Sequence, residues 1–105
     1  MSFRWPLKDP DEILDYSVDW SRWLNGASIV SISWYVDDSA GVKTLLSAGS
    51  TVNGIQNVSQ TISGGVATIN LGLGTVNTEY KFTCRMTDNS GNVAERVIKL
   101  RVKEQ

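Results

Sequence analysis

Histidine is absent from the 105-residue chain, so any proton-transfer chemistry would fall to carboxylates. Two acid pairs have a spacing that warrants a test. Asp15 and Asp19 share the polar phase of one alternating segment, and Asp37 and Asp38 are adjacent. Paired carboxylates hydrolyse glycosides when they flank a cleft at about 5–9 Å. A small chain with strand periodicity has little room for such a cleft, and these acids read as solvated strand and turn residues. Cys84 is the single cysteine, so it forms no internal disulfide or zinc site, and without histidine it has no base to make it a nucleophile. Its phase with Phe82 and Met86 makes it a core thiol. Asp88, Asn89, Ser90 and Asn92 could offer oxygens to calcium, but calcium takes about six to eight oxygens, usually with several carboxylates. One charged residue suits a polar hairpin turn better. There is no phosphate-binding loop, dinucleotide-binding glycine motif or metal-spaced Cys/His set. Asn57-Val58-Ser59 fits a glycosylation acceptor pattern, with no secretory signal to give it meaning. The sequence therefore predicts no catalytic residue, no metal site and no cofactor, and no enzyme.

The elements that would carry these residues are strands. Leu14, Tyr16, Val18 and Trp20 are apolar at every second position, with Asp15, Ser17 and Asp19 in the other phase. That is a strand with one wet face. Residues 21–26 break it as one helical turn ended by a glycine. Residues 27–36 form the next strand, with Val30, Ile32, Trp34 and Val36 facing one way. Residues 37–41 are a turn by composition, residues 45–48 a short strand, and residues 56–62 alternate weakly through Val58 and Ile62. Gly64-Gly65 suits a tight turn, because glycine tolerates positive φ. Ala67, Ile69 and Leu71 make the following strand. The clearest pattern comes last: Tyr80, Phe82, Cys84 and Met86, then a turn over residues 88–92, then Ile98, Leu100 and Val102, forming a long antiparallel hairpin.

About six to eight short strands with regular turn signals describe an all-β chain. The expected fold is an immunoglobulin-like antiparallel β-sandwich over residues 13–105, with an extended N-terminal arm over residues 1–12. Tyr80 stands where a tyrosine corner would, and Trp34 and Cys84 lie on an early and a late strand. The pattern departs from antibody domains in lacking a second cysteine and in placing Cys84 four residues after Tyr80. A five-stranded barrel is the competing architecture. Expected core residues are Tyr16, Trp20, Trp34, Tyr80, Phe82 and Cys84.

A net charge of −1 leaves no electrostatic footprint for nucleic acid. No apolar run reaches the roughly 18 residues of a membrane span, and residues 1–6 lack the apolar stretch of a signal peptide. The protein is expected to be made in a cytoplasm. Four tryptophans need a use, and aromatic residues are enriched at interfaces. Trp23, beside a turn, and Trp5, in the arm, are the harder ones to bury. Phe3 and Trp5 either fold back on the domain or dock on a partner. The hypothesis adopted is docking, under which removing residues 1–7 leaves the melting temperature nearly unchanged.

The segment Lys8-Asp9-Pro10-Asp11-Glu12-Ile13-Leu14-Asp15-Tyr16-Ser17-Val18-Asp19-Trp20-Ser21-Arg22-Trp23-Leu24 resembles the N-terminal signature of tailed-phage fiber-tail adaptors. Ser33-Trp34, residues 80–87 and residues 96–102 support the likeness, which spans nearly the whole chain. The resemblance implies a non-enzymatic virion protein at the tail or neck, made in the host bacterial cytoplasm. It also implies several copies in a symmetric assembly, contacting other tail, neck and fiber proteins. Phe3, Trp5, Asp9, Asp11, Asp15, Asp19 and Trp23 are the candidate interface residues. The alternative is a carbohydrate-binding or host-surface adhesion module, which would need coplanar exposed aromatics such as Trp5, Trp23 and Tyr35.

Overall fold

The structure, a computed structural model, describes residues 3–104, with Phe3 described through its backbone alone. Alternation sets the long strands: β2 (Leu14–Asp19), β3 (Ile29–Asp37), β6 (Ile55–Ser63), β7 (Val66–Leu73), β8 (Thr78–Asp88) and β9 (Val93–Val102). Short strands β1 (Phe3–Arg4), β4 (Lys43–Leu45) and β5 (Thr51–Val52) flank them, and α1 (Ser21–Leu24) is one helical turn. Two sheets result, a five-stranded one in the order β1-β9-β8-β3-β4 and a four-stranded one in the order β2-β7-β6-β5. They face each other as an all-β sandwich, since Trp34, Phe82, Met86, Ile98 and Leu100 from one sheet and Tyr16, Ile55, Ile69 and Leu71 from the other belong to one buried cluster. Among the described strands every pairing is antiparallel except that of β1 with β9, which is parallel, as is the isolated bridge between Lys8 and Val102.

Two bulges reverse the phase read from the sequence. A register shift between Ile29 and Ser31 turns Val30 outward, 61% exposed, while Ile29 packs on the core. Another between Asn57 and Ser59 exposes Val58 and buries Asn57. An extra residue on one strand of an antiparallel pair carries this effect to every side chain beyond it. Asn57 Nδ2 donates to the Leu46 carbonyl and to Gln60 Oε1, so the glycosylation pattern is sequestered. The strand expected at residues 45–48 instead ends at Leu45. The turn after Asp38 closes as Gly41 N–H donates to the Asp38 carbonyl, and the chain enters β4 at Lys43.

Hydrogen bonds to one hydroxyl lock three segments together. Tyr80 Oη accepts from the Thr75 N–H at 2.8 Å and donates to the Asn53 carbonyl at 2.7 Å. Gly54 sits beside them at φ +82°, where a Cβ would lie 2.5 Å from Thr75 Oγ1. No larger residue fits there without displacing Thr75.

Candidate interaction site

The N-terminal segment is where the structure departs most from expectation. Arg4 pairs in register with Lys99, the Trp5 N–H donates to the Lys99 carbonyl at 2.9 Å, and Pro6 then interrupts the strand because it has no N–H. Pairing resumes at Lys8, whose N–H donates to the Arg101 carbonyl and whose carbonyl accepts from Lys103. The segment thus runs along β9. Trp5 is 9% exposed, stacked on Tyr16 at 4.8 Å and tilted against Phe82 and Trp34. Its indole N–H donates to the Ser17 carbonyl on β2. Trp5 is therefore not a free anchor. It spans the open side between the two sheets, where a large apolar ring removes the most surface from water. The Phe3 side chain, the other expected anchor, lies outside the described residues.

Lys8 is a buried residue that sequence reasoning missed. Its side chain has no solvent exposure, and its ammonium donates to the carbonyls of Asp9 and Leu73. Burial pulls its pKa below the usual lysine value, while Glu12, Asp9 and Asp11 pull the other way. Nothing local signals this, because the receiving Leu73 carbonyl is 65 positions away.

The candidate acids separate into two groups. Asp9 and Asp11 belong to a tight turn, in which the Asp9 carboxylate accepts the Asp11 N–H and the Glu12 carboxylate accepts the Asp9 N–H, both at 2.9 Å. Asp15 and Asp19 lie on the outer face of the four-stranded sheet. Asp15 accepts from Asn70 at 2.7 Å, and Asp19 accepts the Ser21 N–H at 2.9 Å. Hydrogen bonds from the Ser21 side chain and backbone hold the Asp19 carboxyl below the ordinary aspartate range. Four residues apart on one strand, these carboxylates are about 13 Å apart along the chain, too far for a glycosidase pair. Asp88 is buried in its turn. Burial raises its pKa, and donors from Asn92, Ser90 and Gly91 outweigh that and leave it lowered. Cys84 is buried, and desolvation pushes its thiol up to about 12, which makes it a packing residue.

Trp23 does remain at the surface, 38% exposed. Positioned by α1, its ring meets Trp20 edge-on at 6.2 Å, and the Arg96 guanidinium lies 5.2 Å from the Trp20 ring. Beside it opens a cleft of about 510 Å³ between β1, β2 and β9. Val18 and Ile98 supply apolar walls, and Arg4, Asp19, Arg22 and Arg96 supply charge. Arg4, Arg22 and Arg96 thus gather with Asp19 beside an exposed indole, and Arg4 also pairs with Glu79 at 2.7 Å. The sequence did not reveal this grouping, since the three arginines come from three separate elements.

Trp5, Trp23 and Tyr35 form no common platform for a sugar. Trp5 is interior, Trp23 lines the edge cleft, and Tyr35 lies on the outer face of the five-stranded sheet with Lys43 Nζ 5.1 Å from its ring. Among the described residues no group of three or more metal-ligating side chains converges, and no helix is long and apolar enough to cross a membrane.

None of the curated proteins compared with the chain matches it. A family model does, over residues 8–101; its description reads podophage GP4 fiber-tail adaptor protein gp77.

Proposed function

The chain belongs to the podophage fiber-tail adaptor family, and from that premise we propose that it is a non-enzymatic virion protein linking the tail or neck to the tail fibers by protein–protein contacts. The observation that carries this reading is the family match over residues 8–101. The Trp23 cleft with its three arginines is the contact place this reading assigns. The same reading has the protein made in the host cytoplasm, incorporated in several copies, and free of nucleic-acid and membrane contacts. Its finer fold assignment is immunoglobulin-like. The order β1-β9-β8-β3-β4 against β2-β7-β6-β5 and the hydroxyl bridge of Tyr80 support this. The reading keeps the division into an arm (residues 1–12) and a domain (residues 13–105), with Trp5 and Lys8 of the arm contributing to the domain's interior.

The test is a phage lacking the protein. Particles should form with tails but without fibers, and supplying the protein in trans should restore them. Fully fibered particles in its absence would defeat the proposal.

A further inference from the structure

The outer face of the five-stranded sheet is layered in a way its own domain does not require. Register places Arg4 beside Lys99 and Lys99 beside Lys81, a rank of three cations across β1, β9 and β8. Like charges directly opposite on neighbouring strands destabilise a sheet. The next rank on the same face runs Val97, Thr83, Tyr35, Leu45 across β9, β8, β3 and β4. Leu45 is 54% exposed, while Thr83 is covered by its neighbours. Beyond it Arg85 lies opposite Glu95, and on the other side of the cation rank Arg101 lies opposite Glu79. Those two glutamates are already engaged, Glu79 with Arg4 at 2.7 Å and Glu95 with Lys43 at 3.2 Å. Glu79 is shared among Arg4, Lys99 and Arg101, so cations outnumber carboxylates around the facing pair Lys81 and Lys99.

We propose that this face is a docking surface for a carboxylate-rich surface of a different protein of the particle, with Tyr35 and Leu45 at its apolar centre and Lys81 and Lys99 meeting the partner's acids. An apolar, aromatic centre with a charged border is the anatomy of a specific protein interface, and the unbalanced lysines supply the complementarity that selects the partner. A second copy of this chain fits less well. The carboxylates on its opposite sheet face, Asp15 and Asp19, are held by Asn70 and Ser21 and stand about 13 Å apart along one strand. Lys81 and Lys99 are direct neighbours about 5 Å apart. The inference rests on the virion role proposed above.

Zero-length carbodiimide coupling of purified particles tests it, because the reagent joins lysine amines to carboxylates in contact. Peptides linking Lys81 or Lys99 to an Asp or Glu of another virion protein are expected. Links to the carboxylates of a second copy would overturn the choice of partner. Amines acetylated as readily in the particle as in the free protein would overturn the surface itself. Lys81→Glu separates docking from folding. It relieves the repulsion with Lys99, so the melting temperature should hold or rise, yet incorporation should fall about tenfold or more, with Lys81→Arg restoring it. Wild-type incorporation of Lys81→Glu would overturn the proposal. Absence of the protein from wild-type particles would instead defeat the virion role, a distinguishable failure.

Discussion

Trp5 and Trp23 pose the same question in sequence and meet opposite fates. Each is a large aromatic outside the alternating strands. Trp5 is drawn into the gap between the sheets and becomes part of the core, while Trp23 stays at the surface against Trp20. The difference lies in what each can cover. At the arm, the edges of β1 and β2 leave Tyr16, Trp34 and Phe82 open on one side, and the Trp5 ring closes it. At α1, Trp20 is already fully buried with Arg96 over its ring, and Trp23 has little apolar surface left to cover. An aromatic that is surplus to the core is the one the proposed function assigns to a partner.

This contrast can be broken most directly at Trp5. Trp5→Ala should cost about 3–5 kcal/mol, a fall in Tm of about 20 °C for a domain of this size, read by thermal denaturation. Deleting residues 1–7 should cost at least as much, and a Tm unchanged by that deletion would return the arm to the role of a free anchor. Lys8→Met comes next. It removes the ammonium from the partly buried Leu73 carbonyl, while the Asp9 carbonyl keeps the Glu12 N–H, for about 1 kcal/mol in denaturant titration.

A pH titration sharpens the same point. Burial beneath Trp5, with the charge of Glu12, raises the Tyr16 hydroxyl from 10.0 to about 12. Folded protein therefore holds a proton that the unfolded chain releases above pH 10. The corresponding stability is complete below that pH and is lost as pH rises toward 12. Cys84 acts with the same sign and Lys8 with the opposite one, so the comparison is made within one residue. Tyrosinate absorbance should show Tyr16 titrating at lower pH in Trp5→Ala than in the parent. The smallest effect on stability belongs to Trp23→Ala, at or below about 1 kcal/mol for the lost edge contact with Trp20. Fiber attachment should nevertheless fall, measured by counting fibered particles. Unaltered attachment would remove Trp23 from the interface.

Much of the sandwich was legible because a half-buried strand must alternate. Tyr16 with Val18, and Phe82 with Cys84 and Met86, alternate in sequence and are buried in the fold. The turn at residues 88–92 was legible through its composition, and Asp88 there accepts the Ser90 and Asn92 N–H groups. Val30 and Val58 were misread because a bulge shifts phase without leaving a local signature. Of the candidate site, Trp23 and Asp19 meet at the cleft, while Asp9, Asp11 and Asp15 lie elsewhere. Arg4, Arg22 and Arg96 were invisible as a group, since isolated arginines carry no periodic signal.

The sequence by itself determined that this is a strand-built chain without histidine, with a buried thiol and polar turns, because side-chain alternation and turn chemistry act between near neighbours. The tertiary structure decided where the arm lies, why Lys8 is inside and which arginines share a cleft. Those outcomes depend on groups tens of residues apart becoming adjacent, and only the closing of one sheet upon the other brings them together.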